Sequence, residues 1–245
     1  MAAQPYDRDS PVSYALGVYP SLALLELNPR CARRLLLDER GGGEGIERLV
    51  KLCAGLGVRA EAAPRLLRRV SGKENCFAAV EFDKGEACGE ILPGKPHIAL
   101  VQPSDQGNIG AILRSMVGFG FGDLAIIDKS ADIFDPHTVR ASMGALFALR
   151  VSVFGGGGFD RYRAMYPEHA VYPFMLGASL TLGEAARSHA EPYTLVFGNE
   201  GAGLPERYMD VGKPVVIPQR GVIDSLNLSV AVSVAMYAFS SSQTG

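Results

Sequence analysis

The sequence predicts an α/β fold with a mostly parallel sheet. Apolar runs of strand length alternate with segments of helical spacing from Ser13 to the C-terminal part of the chain. Hydrophobic residues make up 47% of the 245 residues, which is ample for a core. Strands that alternate with helices form a parallel sheet covered on both faces, so this is the architecture we expect.

The first 96 residues are expected to form a small α/β domain and a linker. Residues 1–12 are expected to be a disordered lead-in. Within residues 13–83, helical patterns cover 20–27, 45–56 and 64–70, and strand patterns cover 32–38, 58–62 and 76–82. Residues 84–96 contain two prolines and three glycines, and we interpret them as the linker.

Residues 97–245 are expected to form a larger second domain around the parallel sheet. Its strand patterns cover residues 97–101, 124–127, 150–154, 171–176, 193–197 and 214–217, and its first helical pattern covers 108–119. The last helix is predicted to begin at Asp224 or Ser225, since either can cap a helix, and to continue to Phe239. It is uncharged and apolar on all sides. We therefore expect it to be buried in the fold and against a second subunit.

Composition and charge argue against several classes of protein. The net charge is −2, whereas a strong nonspecific nucleic-acid binder usually has a basic bias. Arg65, Arg68, Arg69 and Lys73 still form a basic cluster, which is either a solvated face or a binding surface. The four cysteines match no zinc signature and are interpreted as reduced thiols, and no other cluster has metal-ligand spacing. Without a signal peptide or a membrane-length apolar run, we expect a cytoplasmic protein.

Two loops after apolar runs near the end of the chain are suited to binding a small molecule. The run 193–197 is followed by Gly198-Asn199-Glu200-Gly201-Ala202-Gly203, and the run 214–217 is followed by Pro218. Glycine has no Cβ, so its backbone groups can approach a flat ligand closely. The two loops converge near the start of the last helix, which predicts a site that uses main-chain groups.

The residues of these loops resemble a known family. FGNEGAGLPE and IPQRGVIDSLNLSVA are similar to the second and third motifs of the SpoU/TrmH family of RNA ribose 2′-O-methyltransferases, in the SPOUT superfamily. The first motif, Asn-x-Gly-x-x-x-Arg, is present as Asn108 to Arg114. The resemblance implies a trefoil-knot α/β domain over 97–245 that dimerises through the knot region. Residues 13–83 resemble, in pattern, the L30e-like substrate-binding domain of such enzymes, which implies that the basic cluster contacts RNA.

The resemblance also implies a binding site for S-adenosylmethionine. The matching donor-site positions are Gly198, Ile217 and Leu226, and the neighbouring residues Phe197, Asn199, Gly201 and Pro218 are assigned to the same site. Each of these assignments has an alternative that needs no ligand. Ile217 and Leu226 are equally suited to core packing, and Gly198 to a simple turn.

Arg114 is the residue to which the resemblance assigns catalysis. Its guanidinium is a poor base, so we expect it to position the substrate and to stabilise charge. Glu200 is expected to orient Arg114 or to cap a helix, and Ser225 and Asn227 to bind the ribose or phosphate, unless Ser225 is only a helix cap. Asn108 is expected to brace its loop, to contact substrate or to cap its own helix. For Arg114 the alternative is a surface salt bridge.

The predicted activity is therefore the methylation of a ribose 2′-hydroxyl in RNA. Ribosomal RNA is the favoured substrate because of the L30e-like pattern, and tRNA is the alternative. A non-catalytic RNA-binding or ribosome-assembly protein is a second hypothesis, although Arg114 and Asn227 are both retained. A dinucleotide-dependent oxidoreductase is disfavoured, because no Gly-x-Gly-x-x-Gly follows the first strand of the second domain. Base methylation is disfavoured by Ser225-Leu226-Asn227.

Overall fold

The computed structural model describes residues 6–128, 130–221 and 225–241. The chain forms two compact units. The first contains the described residues up to Cys88 together with Ile109–Arg114 and Asp132–Ala148, and the second contains Gly89–Asn108, Ser115–Ala131 and the described residues from Leu149 onward. Residues 109–114 and 132–148 pack on each other in the first unit, where Gly110 lies so close to Ala141 that an added Cβ would be 2.4 Å from the Ala141 Cβ. The domain bounds expected from the sequence, 13–83 and 97–245, stay a prediction.

The first unit is built around a four-stranded sheet. Up to Cys88, its elements in chain order are β1 (Val12–Leu16), α1 (Val18–Leu27), β2 (Ala32–Leu37), α2 (Glu44–Gly55), β3 (Arg59–Ala62), α3 (Pro64–Ser71), β4 (Ala78–Asp83) and α4 (Lys84–Ala87). The strand order is β1-β4-β2-β3. β4 is antiparallel to both of its neighbours, and β2 is parallel to β3.

The start of the chain is more ordered than the sequence predicts. β1 begins at Val12, and the Tyr6 hydroxyl donates a hydrogen bond to Asp132. Residues 6–12, predicted as part of a disordered lead-in, therefore have defined contacts. β1 was not predicted because Ser13 and Tyr14 are polar residues, although both are buried in the structure.

The two ends of helix α3 are explained by the residues at those ends. Pro64 lies in its first turn, where a missing N–H costs no helical hydrogen bond. Gly72 ends the helix in the left-handed region with φ 61°, which favours glycine. Arg68 and Arg69 lie in the last turn, where the helix dipole favours positive charge.

The remaining elements follow after residue 96. In chain order they are β5 (His97–Val101), α5 (Gln106–Gly118), β6 (Asp123–Ile127), α6 (Pro136–Ala141), β7 (Arg150–Phe154), α7 (Gly158–Met165), β8 (Ala170–Pro173), β9 (Leu180–Thr181), α8 (Leu182–Arg187), β10 (Tyr193–Phe197), β11 (Val215–Val216) and α9 (Leu228–Ser241). The predicted strand at 171–176 ends early, because residues 174–177 form a loop. The predicted start of α9 at Ser225 is wrong, and Asp224 lies outside the described residues.

A five-stranded parallel sheet forms the centre of the second unit. Its order is β7-β6-β5-β10-β8, and all its strand pairs are parallel, which confirms the predicted class of sheet. Every residue of β5, β6 and β10 is buried, as expected for strands covered on both faces. Because the strands are parallel, the loops that follow them meet at one edge of the sheet.

The segment predicted as a linker, residues 84–96, makes specific contacts in each unit. In the first unit, Asp83 caps α4 by accepting a hydrogen bond from the Gly85 N–H at 2.9 Å. In the second unit, the Leu92 N–H donates to the Asp123 carboxylate at 2.9 Å. Proline and glycine content indicated a linker, but long-range hydrogen bonds hold parts of this segment in place.

Helix α9 is buried on one side only in the single chain. Leu228, Val232, Met236 and Phe239 are buried, whereas Val230, Val234 and Tyr237 are 47%, 39% and 60% exposed. Within the described ranges, no helix is both long enough and apolar enough to span a bilayer.

Candidate functional site

A cavity of about 630 Å³ opens in the second unit beside the loops that follow β8, β10 and β11. Residues 174–177, 197–204 and 215–217 line it, together with the start of α9. This volume lies in the range of small-molecule sites, and the carboxyl ends of parallel strands are where such sites form in α/β sheets.

The glycine loop after β10 is closed on itself. The Gly203 N–H donates to the Asn199 carbonyl at 2.9 Å, and the Asn199 N–H donates to the Gly203 carbonyl at 3.2 Å. A Cβ added to Gly198 would lie only 2.1 Å from the carbonyl carbon of Gly203. Gly198 is therefore both a turn residue and a cavity residue, because only glycine allows this close approach.

Two polar side chains attach the glycine loop to the loop after β5. Asn199 Nδ2 donates to the Gln102 carbonyl at 2.9 Å. The Glu200 carboxylate accepts hydrogen bonds from the Ser104 N–H at 3.0 Å, the Ser104 hydroxyl at 2.7 Å and the Asp105 N–H at 3.0 Å. Burial raises the pKa of Glu200, but the hydrogen bonds from Ser104 and Asp105 outweigh it, so the net pKa is lowered. Glu200 is therefore held as a carboxylate that braces the cavity.

Asn108 joins the three motifs through side-chain hydrogen bonds. Its Oδ1 accepts from Asn227 Nδ2 at 2.9 Å, and its Nδ2 donates to Glu200 at 3.4 Å. The prediction that Asn108 caps its own helix is wrong, because Asp105 accepts the bond from the Asn108 N–H at 2.6 Å. Asn108 therefore braces its loop, which is one of the roles expected for it.

Asn227 caps α9, a role that the sequence analysis gave to Ser225 or Asp224. Its Oδ1 accepts hydrogen bonds from the Ser229 N–H at 2.9 Å and the Ser229 hydroxyl at 2.7 Å. Ser225 lies before the helix and lines the cavity. An asparagine cap leaves its Nδ2 free to bond Asn108, so the same residue begins the helix and joins the first motif to the third.

Most of the predicted donor-site residues line this cavity. Phe197, Gly198, Asn199, Gly201, Ile217 and Leu226 are all in its wall, as are Glu200 and Ser225. Ile217 and Leu226 are only partly buried, so core packing does not account for them. Pro218 is exposed and, in the described part of the chain, is not among the lining residues.

Several lining residues were not predicted. Phe174 stacks on Phe197 with ring centroids 4.4 Å apart and an interplanar angle of 15°, which forms a flat apolar wall. Glu206, Met209 and Gln219 also line the cavity. Phe174 was not predicted because its apolar neighbours indicated a strand that continues to residue 176. No local pattern distinguishes Glu206, Met209 and Gln219 from ordinary loop residues.

Arg114 lies on α5, six residues after Asn108, which is about 9 Å along the helix axis. It belongs to the part of α5 that packs in the first unit, and its side chain is exposed. Among the residues that the structure describes, none forms an ion pair with Arg114, so the salt-bridge alternative is not observed. Its predicted orientation by Glu200 stays a prediction.

The basic cluster lies on and just after α3 in the first unit. Arg65 and Arg69 are one helical turn apart, and they line a depression of about 460 Å³ together with Leu66 and residues 62–64. Arg68 is half-buried, and Lys73 is exposed beyond the end of the helix. The structure therefore brings together two of the four predicted cations in one concave surface.

No group of three or more metal-binding side chains is found in the described part of the chain. The arrangement of main-chain loops, a flat aromatic wall and a braced glycine turn suits an organic ligand instead.

The sequence of this half of the molecule matches a family model. Residues 95–237 match the model of the SpoU rRNA Methylase family. The chain belongs to this family. The membership confirms the predicted resemblance and the predicted class of enzyme, an RNA methyltransferase.

Two curated relatives come from Streptomyces species. The 23S rRNA (uridine(2479)-2′-O)-methyltransferase of Streptomyces viridochromogenes is 31% identical over 210 residues, which are 84% of this chain and 69% of that protein. The 23S rRNA (adenosine(1067)-2′-O)-methyltransferase of Streptomyces laurentii is 30% identical over 135 residues, which are 54% of this chain and 48% of that protein. The chain thus spans about two thirds of the first relative and about half of the second.

Solved structures show the same fold. The SpoU methyltransferase AviRb from Streptomyces viridochromogenes, in complex with the cofactor AdoMet, has a TM-score of 0.78 and is 22% identical, with 95% of this chain and 91% of that chain covered. A structure concerned with the 2-OH methylation of C/U34 on tRNA has a TM-score of 0.56 and is 29% identical, with 63% of this chain and 99% of that chain covered. The first comparison confirms the SpoU-type α/β fold.

Proposed function

We propose that this chain transfers a methyl group from S-adenosylmethionine to a ribose 2′-hydroxyl of ribosomal RNA. The observation that carries the proposal is the hydrogen-bonded junction of Asn108, Glu200 and Asn227. It ties the three family motifs together around one cavity of ligand size. Two curated relatives are named as methyltransferases of 23S rRNA 2′-O positions, which favours rRNA over tRNA.

The cavity fits the proposed methyl donor. The stacked Phe174 and Phe197 offer a flat apolar wall for a purine, and the glycine loop exposes backbone groups beside it. Its volume of about 630 Å³ is ample for a nucleoside joined to an amino acid. When bound, this donor supplies an electrophilic methyl group on sulfur. The residues of the chain position the donor and the RNA and stabilise the charges of the reacting groups.

Glu200, Asn199 and Asn108 hold the loops of the second unit in a fixed geometry. Their hydrogen bonds are made within the protein, so the cavity is preorganised before a ligand enters. Because Asn108 lies in the first turn of α5, the junction also fixes where that helix begins.

We assign Arg114 to the RNA side of the reaction. A guanidinium stays protonated at all ordinary pH values, so it serves as a phosphate contact and an electrostatic stabiliser rather than as the base. Its exposed position on α5, without an ion-pair partner in the described ranges, leaves its donors available to a substrate. Ser225, on the wall of the cavity, is assigned to the ribose or phosphate.

The depression beside α3 is proposed to contact RNA phosphates through Arg65 and Arg69, with Lys73 and Arg68 adding positive potential. A filter-binding assay with rRNA tests this: Arg65→Glu with Arg69→Glu should weaken binding by about 10-fold or more at low salt. Lys51→Glu with Arg59→Glu, exposed positions of the same unit, makes the same change in net charge and serves as the control. Equal losses of RNA affinity in the two double variants would show a nonspecific effect of net charge and would contradict a contact at this depression.

The exposed face of α9 is proposed to pack against a second copy of the chain, in the predicted knot region. Val230, Val234 and Tyr237 are large apolar side chains that one copy leaves in water. Sedimentation analysis should find a dimer, and Val234→Glu should shift it toward the monomer.

We place this enzyme in the cytoplasm, where its proposed substrate lies.

One experiment tests the function directly. Calorimetry should show binding of S-adenosylmethionine, and labelled methyl groups should appear on rRNA at 2′-oxygens. Arg114→Ala should keep donor binding and lower turnover by about 100-fold or more, since it removes an electrostatic stabiliser. Arg187→Ala, an exposed arginine of α8, is the matched control. Donor binding without methylation of any rRNA or tRNA would favour the non-catalytic RNA-binding alternative, and absence of donor binding would reject the proposal.

A further inference from the structure

The polar side chains that line the cavity differ in whether the protein already satisfies them. Asn199 donates to Gln102 and Ser104 and accepts from the N–H groups of Gly201 and Ala202. Glu200 is occupied by Ser104 and Asp105. These two side chains therefore hold the loops together and have little capacity left for a ligand.

Gln219 is the contrasting case. It lines the same cavity, in the loop after β11, and its Oε1 is buried without a hydrogen-bond partner within the described structure. A buried acceptor without a donor costs stability, and native proteins keep few of them. Such an atom at the wall of a binding cavity is best explained by a donor that arrives with the ligand.

The surroundings of Gln219 limit what that donor is. Phe174, Phe197 and Leu226 give the same cavity an apolar part, which suits the flat or aliphatic parts of a ligand. Glu206 adds a carboxylate to the same cavity. Amide and carboxylate oxygens are both acceptors, so these two side chains favour a ligand with N–H donors, neutral or cationic, over one with only acceptors.

We propose that Gln219 is a specificity residue for the methyl donor, and that its Oε1 accepts a hydrogen bond from an amino group of that donor. The inference rests on the proposed function. S-adenosylmethionine has two amino groups, one on adenine and one on the methionine part, and both present N–H donors. If Gln219 bonds the adenine amino group, the site discriminates against purines that lack this group. If it bonds the α-amino group, the site discriminates against ligands that lack an amino acid amine.

The test uses calorimetry with S-adenosylhomocysteine and three variants of the full chain. Gln219→Met keeps the size of the side chain and removes the acceptor, so it should weaken binding by about 10-fold, as expected for one lost hydrogen bond to a buried acceptor. Gln219→Glu keeps an acceptor at the same position and should recover most of the affinity. Gln106→Met, at the first residue of α5, makes the same chemical change away from the cavity wall and should bind as the unmodified chain does.

Two analogues identify the amino group. One has hydrogen in place of the adenine amino group, and the other lacks the α-amino group. The unmodified chain should bind one of them about 10-fold more weakly than S-adenosylhomocysteine, and Gln219→Met should bind that analogue and the parent compound equally. Full affinity of Gln219→Met for the parent compound, or the same discrimination in both proteins, would overturn the inference. Failure of the unmodified chain to bind S-adenosylhomocysteine at all would instead reject the proposed function.

Discussion

At the amino end of the five-stranded sheet, polar side chains bond to one another, whereas at the carboxyl end they line an open cavity. The amino end holds a chain of hydrogen bonds from His97 Nδ1 to the Tyr162 hydroxyl at 2.8 Å, on to Thr194 Oγ1 at 2.5 Å, and from there to His169 Nδ1 at 2.9 Å. The other nitrogens of the two histidines bond the carbonyls of Leu92 and Pro93 at 2.8 and 2.7 Å.

The difference lies in what the loops contribute. At the amino end, His97, Tyr162, Thr194 and His169 use their side-chain polar groups on one another and on the backbone carbonyls of residues 92–93. At the carboxyl end, Gly198, Gly201 and Gly203 contribute no side chains. Asn199 and Glu200 form their hydrogen bonds with the loop after β5, which leaves the cavity open. The same sheet thus produces a closed structural network at one end and a binding site at the other.

The largest expected effect concerns the glycine loop. Gly198→Ala should lower donor binding and methyl transfer by about 100-fold or more, because the new Cβ would meet the Gly203 backbone at 2.1 Å and the loop would have to open. Calorimetry with S-adenosylhomocysteine measures this. Gly183→Ala, in α8 and outside the cavity wall, is the matched control, since its Cβ would meet Arg187 at an ordinary 3.6 Å. Similar losses for the two variants would show that the effect does not come from the glycine loop.

The amino-end network should make stability depend on pH. Burial lowers the pKa of His97 from 6.5 to about 4, and burial also lowers the pKa of His169. The unfolded chain therefore binds more protons than the folded chain between pH 6.5 and pH 4. The free energy of unfolding falls as the pH decreases through this window, by about 3 kcal/mol for His97 alone.

Denaturant unfolding followed by circular dichroism at several pH values would measure this dependence. His97→Gln removes the titrating group, so its stability should change less between pH 6.5 and pH 4, even if the variant is less stable throughout. A slope equal to that of the unmodified chain would mean that other groups cause the acid sensitivity.

A smaller effect is expected at the braces of the cavity. Glu200→Gln removes the charge from the hydrogen bonds to Ser104 and Asp105 and replaces one acceptor oxygen by a donor. We expect methyl transfer to fall by about 10-fold, with a loss of donor affinity of similar size, because the cavity is less well held. Glu184→Gln, in the capping box of α8, makes the same change at a distant helix start and should leave the kinetics unaltered. An unchanged donor affinity in Glu200→Gln would place the role of Glu200 in the chemical step instead.

The sequence alone determined the features that depend on neighbouring residues. The apolar runs of β5 and β10 identified strands covered on both faces, because such strands need no alternation. Pro64 marked the start of α3, since proline lacks an N–H that the first turn does not use, and the predicted helix 64–70 ends one residue before the observed end at Ser71. The three motifs, with Asn108, Arg114 and Gly198, also pointed to the family and to most of the cavity wall.

Only the tertiary structure decided which groups meet across the fold. The packing of α6 in the first unit, the bonds from Glu200 to Ser104 and the bond from Asn227 to Asn108 depend on residues far apart in sequence. Phe174 became part of the cavity because β8 ends at Pro173, and Gln219 became notable because nothing in its folded surroundings satisfies its buried oxygen within the described residues. Local patterns determine which backbone a segment prefers. A cavity and its unsatisfied atoms result from long-range packing, which those patterns do not encode separately.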